Sequence, residues 1–543
     1  MIMIRSVAAL FAVALAVAQN PQIDGEKIRA DVKYLASDEL EGRGVGTKGE
    51  KLATEYLASQ LKAAGVQPAG DNGTYFQRVP LVGSTTLPSA TLAISGPHGQ
   101  EPLQFGQDYV GTALSQRPQN NFDAEAVFVG HGISAPEFDW DDYKGVDLHG
   151  KVLVYFTNEP PSNDPAFFGG PALTYYGRWT YKFEEAARRG AVAALIIHTT
   201  PTAGYGWGVV SGSGAKEYPQ LRLAPGRNGL KLAAWISQDA GAKLVAQTGK
   251  TLDQLLAMAN QKSFRPLPLG VHVVGHIDVK LRDIESRNVV GRIDGSDPQL
   301  KSQAVLYTAH WDHLGISKPV NGDTIYNGAV DNATGCGVVL ALARSWAVLP
   351  QKPKRSAVFL FVTAEEAGLL GSQYYGEHPE IPAGKTALDI NYDALYPFGK
   401  TSDVSVTGAE RTTLWPLVQR DAKRMDLAIA PDAEPGQGHY YRSDHFSLAR
   451  VGIPAFSISQ GTHYIGQPAD FGKTVFEQYN EEHYHRPSDE YHADWNFDGM
   501  VQMAQFGLAL GMDVANLPAL PTWKPGDEFL SARQKSGVTG SPE

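Results

Sequence analysis

One cysteine, Cys336, occurs in 543 residues, so no disulfide can form within the chain. It sits in an apolar, glycine-rich run and reads as a small core residue; nothing local suggests a histidine that would make it a nucleophile. Beyond the first residues no apolar run approaches the ~20 residues that a membrane-spanning helix needs. Basic residues are outnumbered, 47 against 58 acidic ones, and a net charge of -11 argues against nucleic acid as the main partner. Repeats and low-complexity tracts are lacking too. What remains is a large globular chain, long enough for more than one domain.

The first residues read as an export signal. Arg5 supplies the positive start, Val7–Ala18 is apolar, and Ala16-Val17-Ala18 is a small-x-small cleavage pattern. The expectation is a signal peptide over 1–18, cleaved near Ala18, and a secreted or periplasmic product. The run is too short to span a membrane, although an uncleaved anchor is the alternative.

The mature chain changes texture twice. Over 19–121 a helical stretch, Ile23–Gly65, gives way to strand-like alternation from Tyr75. Residues 122–262 read as an inserted α+β domain, with strands at Lys151–Phe156 and Ala191–Ile197 and a helix over Trp179–Gly190 between them. Tyr205–Gly214 reads as a Gly/Ser/aromatic loop, with Tyr205, Gly206 and Trp207 as candidates for the rim of a cleft. No metal-ligand cluster occurs in this block. From 263 to 530 strands alternate with helices: Ser286–Ile293, Ala304–Ala309, Val358–Val362, Ala387–Tyr392 and Ala455–Ile458 are the expected strands. That alternation predicts an α/β fold, a mostly parallel mixed sheet with helices on both faces. Residues 531–543 read as a flexible tail, and the polar stretch after Pro521 as frayed.

Five short polar segments fall at the ends of those strands or in loops between them. His310-Trp311-Asp312-His313 follows one strand, and Glu365-Glu366 follows the apolar run Val358–Val362. Asp331 precedes a helix, Asp393 ends another strand, and Tyr484-His485 lies near the end of this half. Strand ends of open α/β sheets are where ligands bind. Imidazoles and carboxylates in one basin are what zinc takes, and two cations can share one bridging carboxylate. Adjacent glutamates repel unless a cation or a proton separates their roles. Each segment alone also suits a helix cap, a turn or a solvated pair.

The set AHWDHLG, GAVDNATG, TAEEAGLLGS, NYDALYP and YHRPSDE resembles the M28 family of di-zinc exopeptidases. SDELEGRGVGTKGEKLATEYLA resembles the start of its longer members, and residues 122–262 resemble the protease-associated (PA) domain that many of them carry. The resemblance implies two Zn2+ per chain, with His310 and Asp393 on one, Glu366 and His485 on the other, and Asp331 between them. It implies Glu365 as general base, Asp312 as the partner that orients His310, and Tyr484 as an aid to the oxyanion. A cis peptide after the bridging aspartate is common in the family, which makes Asp331-Asn332 a candidate. The implied partner is a peptide or protein substrate. An aminopeptidase is the favoured activity; a carboxypeptidase, a glutaminyl cyclase and a non-catalytic receptor-like protein are the alternatives. Side-chain preference and oligomeric state are not legible.

Overall fold

The computed structural model describes residues 23–97, 99–203, 206–213, 217–432 and 435–539; Met1–Ala18 lie outside them. Two helices open the described chain, α1 (Gly25–Leu35) and α2 (Lys48–Ala63). Asp24 and Thr47 start them by accepting hydrogen bonds from the free N–H groups of the first turns. Strands β1 (Phe76–Thr86), β2 (Gln119–Phe128) and β3 (Val152–Phe156) come next, then helix α3 (Trp179–Arg188). After these lie β4 (Ala193–Ile197), β5 (Leu232–Ile236) and β6 (Leu267–Ile293). The last part holds β7 (Ala304–His310), α4 (Thr334–Ala347), β8 (Ser356–Val362), β9 (Thr386–Asn391), β10 (Ala455–Ser457) and α5 (Asp498–Ala515).

Strand β6 joins two sheets. Its first part pairs antiparallel with β2, its middle with β1, and its last residues, Val289–Ile293, with β8. Burial along it alternates at first, as a strand with one wet face requires, and becomes almost continuous from Val289. The sequence reads as a separate strand over Ser286–Ile293 because charged residues such as Lys280, Arg282 and Asp283 interrupt the apolar pattern; those side chains lie on the exposed part of one continuous strand.

On one side of β6, strands β8, β7, β9 and β10 run parallel in that order. All seven residues of β7 and of β8 are buried, which is the mark of a sheet covered on both faces. Val305, Tyr307, Phe359 and Phe361 face a core shared with α1, α2, α4 and α5. Leu306, Val358 and Leu360 face the other way, toward Phe446, Leu448 and Trp523. The mostly parallel, mixed sheet flanked by helices is therefore present as expected. On the other side of β6, strands β2, β3, β4 and β5 run parallel, and Tyr109–Thr112 closes the edge antiparallel.

Two stretches differ from expectation. Trp207–Ser213 is a short helix, and Trp207 packs against the core around β4 and β5 and donates its indole N–H to the Gly106 carbonyl, 3.2 Å away. Tyr205 lies outside the described residues. The tail is not frayed up to residue 539: Trp523, Phe529 and Val538 are buried. Leu530–Lys535 forms a helix pinned by Arg533, whose buried guanidinium donates to the carbonyls of Pro521 and Ala383. Among the described residues no helix is long and apolar enough to cross a membrane.

Candidate functional site

The parallel strands β7, β8 and β9 end side by side, so the residues just beyond them share one basin. His310 is the last residue of β7, Glu365 and Glu366 come three and four residues after β8, and Asp393 comes two residues after β9. Asp331 reaches the same basin from the turn before α4. His310 Nε2 lies 3.2 Å from an Asp331 oxygen and 3.2 Å from an Asp393 oxygen. His485 Nε2 lies 3.3 Å from the other Asp331 oxygen and 2.9 Å from Glu366 Oε2. Asp331 therefore faces two donor sets with its two oxygens.

These spacings suit cations. Donors at 2.0–2.2 Å from a tetrahedral zinc stand about 3.4 Å apart. His485 Nε2 and Glu366 Oε1 have no hydrogen-bond partner among the described residues although both are shut from water. Buried polar groups are otherwise almost always paired. Imidazoles and carboxylates together are zinc's preferred donors, so the residues present fit the two ions that the resemblance implies.

The supporting contacts are built from backbone. His310 Nδ1 lies 3.2 Å from the Asp312 carbonyl oxygen, closer than to the Asp312 carboxylate at 3.9 Å. A proton on Nδ1 would leave the Nε2 lone pair facing the acids. The Asp312 carboxylate has another contact: it accepts the Glu365 N–H at 3.1 Å and so ties the end of β7 to the end of β8. The orientation of His310 is thus served by the Asp312 backbone more closely than by its side chain. The peptide bond between Asp331 and Asn332 is cis. Tyr484 is half-exposed and stacks on the His485 ring, with centroids 3.9 Å apart.

The two neighbouring glutamates have opposite surroundings. Burial, together with the charges of Asp393 and Glu366, pushes Glu365 well above the usual carboxylate range against the opposing pull of His310. Burial would raise Glu366 as well, but His313 and His485 hold it at about 2. Environments that push paired carboxyls apart assign them different tasks.

Several residues here escape a reading of the sequence. His313 places Nδ1 2.6 Å from Glu366 Oε1. Ser443 donates to Asp393 at 2.6 Å and accepts from Asn391 at 2.7 Å. Asp489 accepts the N–H groups of Val330 and Asp331, at 2.9 and 3.1 Å, and the Tyr479 hydroxyl at 3.0 Å. Arg43 is fully buried and donates to four carbonyls: those of Trp311, Leu35, Asn327 and Gly328. It thereby clamps the loop after β7 to the loop before Asp331. His313 and Asp489 stand inside recognised motifs, so adjacency was their signal; Ser443 had none. Asp444 is fully buried next to Ser443.

The model of peptidase family M28 matches residues 288–509. Over 199 residues the chain is 31% identical to a probable leucine aminopeptidase 2 of Aspergillus oryzae, covering 35% of this chain and 36% of that protein. Over 95 residues it is 36% identical to a vacuolar membrane protease of Clavispora lusitaniae, covering 18% and 8%. The chain thus spans much less than two thirds of the length of these relatives. Among solved structures, an aminopeptidase from Aneurinibacillus sp. strain AM-1 is similar over 94% of this chain and 98% of that one, at 19% identity and a TM-score of 0.50, a likeness of fold. His310, Asp331, Glu365, Glu366, Asp393 and His485 all fall within residues 288–509, the stretch that matches the model of peptidase family M28.

Proposed function

We propose that the chain is an exported two-zinc exopeptidase that removes residues from the N-terminus of peptides. The observation that carries this reading is the pair of donor sets sharing Asp331, with Glu365 beside them. His310, Asp331 and Asp393 would hold one zinc, and Asp331, Glu366 and His485 the other. When bound, the ions polarise the scissile carbonyl and make water a nucleophile near neutral pH. Glu365 accepts the proton of the attacking water and passes it to the leaving amine. Asp312 and Arg43 hold the two loops in register. Tyr484, which stacks on His485, would donate its hydroxyl to the developing oxyanion.

The direction of cleavage is read from charge. A carboxypeptidase needs a guanidinium at the closed end of its cleft, and an aminopeptidase needs acids. Arg43 is committed to carbonyls, Arg411 to Asp527 and Glu528, and Arg450 to Glu184. The Aspergillus oryzae relative, named an aminopeptidase, supports the same direction. Arg442 and Arg486 are exposed and would serve the opposite reading. Residues 122–262 are read as a protease-associated domain that borders the cleft. Supporting this, the Tyr175 ring lies tilted against Phe446 and the Leu173 N–H donates to the Pro435 carbonyl, so the block contacts the segment that carries Ser443.

A panel of N-free, N-blocked, C-free and C-amidated peptides, with and without chelator, tests the reading. Cleavage should require a free N-terminus, ignore C-terminal amidation and stop with chelator. Cleavage that requires a free C-terminus and tolerates N-blocking would make the enzyme a carboxypeptidase.

A further inference from the structure

His313 is not among the donors that the resemblance supplies, yet it stands with them. Its side chain is fully buried, and its donor atom, one from Asp331 and one from Glu366 all lie within 4.8 Å of one another. Neither ring nitrogen has a hydrogen-bond partner among the described residues, and neither has Glu366 Oε1, only 2.6 Å from His313 Nδ1. Leaving a buried polar group unpaired is costly. Two such unpaired groups beside a carboxylate oxygen of Asp331 point to a shared third partner. The ring has little room to turn away. A Cβ at Gly328 would come within 2.5 Å of His313 Cγ, so that glycine admits the ring, and His485 packs edge-on at 5.7 Å.

We infer that His313 is a further metal donor, joining Asp331, Glu366 and His485 at the second cation. The inference rests on the two-zinc reading above. It makes the two sites unequal. Four protein donors close a tetrahedral zinc site, whereas three leave one position open. The set of Asp331, Glu366, His485 and His313 is then closed. The set of His310, Asp331 and Asp393 keeps the open position. Glu366, with an imidazole at each oxygen, is fixed at the closed site, whereas Glu365 stays free for protons.

The test counts imidazoles on the metal and needs no activity. The full-length protein is stripped and reloaded with cobalt(II), its cobalt content is measured, and proton NMR in water records the paramagnetically shifted, exchangeable ring N–H signals. Each bound imidazole contributes one such signal. The inference expects three in the wild type, from His310, His485 and His313, and two in His313→Gln. Two signals in the wild type with two cobalt ions bound would overturn it and make His313 only a positioning residue for Glu366. Failure to bind cobalt or zinc at all would overturn the two-metal reading itself. The wild-type count decides the question even if His313→Gln does not fold.

Discussion

Strands β3, β4 and β5 and strands β7, β8 and β9 are alike in construction and differ in the polar residues at their C-terminal ends. Both groups are parallel and apolar, and every residue of β3, β4, β5, β7, β8 and β9 is buried. After the first group come Thr157-Asn158-Glu159, His198-Thr199 and Ser237-Gln238. There Glu159 accepts from Thr174, and Ser237 caps a helix. The second group ends in His310, Glu365-Glu366 and Asp393, which point into one basin. The apolar strands supply a rigid platform in both cases; the proposed chemistry rests on the few polar residues at the platform's edge.

The sharpest contrast comes from removing the shared carboxylate. Asp331→Ala should abolish binding of both zinc ions and leave no measurable turnover, as elemental analysis and a peptide assay will show. An equivalent change at a strand end of the other sheet, Glu159→Gln, should leave zinc content and turnover intact. Zinc loss from Glu159→Gln would show that the strand ends of the two sheets are not separate in function.

Glu365→Gln separates chemistry from metal binding. It should keep both ions and lower turnover by about 10²–10⁴-fold, the usual worth of a positioned general base. Glu366→Gln should lose metal instead. Wild-type turnover in Glu365→Gln would reassign the base.

Asp489→Asn acts one step further out. Its carboxylate holds the Val330 and Asp331 N–H groups, so the amide should weaken zinc binding by about 10–100-fold, the typical effect of an outer partner. Competition with a zinc-binding dye measures this.

The smallest expected effect belongs to the other sheet and concerns stability alone. The Lys182 ammonium is fully buried and donates to the carbonyls of Asn158 and Tyr176. Burial lowers it from 10.5 to about 7. Between those values the unfolded chain holds a proton that the folded chain has released, so Lys182 contributes stability as pH rises through that window. Below it both states are protonated and the gain is absent. Denaturant unfolding at about pH 7 and about pH 8.5 should show the wild type gaining about 1–2 kcal/mol relative to Lys182→Met, with turnover unaffected. No difference in slope between the two proteins would refute this.

The platform was legible in the sequence because runs such as Val358–Val362 are short, apolar and bounded by polar residues, as a doubly covered strand is. His310, Asp331, Glu365, Glu366, Asp393 and His485 were legible as polar residues placed where such strands end. Arg43 was not, because its partners are backbone carbonyls that leave no trace in residue identity. Ser443 was hidden for a related reason: a serine between Arg442 and Asp444 resembles any loop serine until β9 brings Asp393 beside it. His313 was visible in AHWDHLG, but only the fold shows that its ring turns toward Glu366. The length of β6 was masked by its exposed charges. Trp523 and Phe529, two aromatics in a polar tail, gave no periodicity from which to read burial.

In the proposed function, two cations sharing Asp331 drive cleavage at a free N-terminus. Zinc titration into metal-free protein, monitored with a leucyl arylamide and its N-acetylated form, tests it most directly. Only the free-amine substrate should be hydrolysed, with no turnover without metal and a plateau at two zinc ions per chain. Full turnover in metal-free protein, or equal cleavage of the N-acetylated substrate, would contradict it.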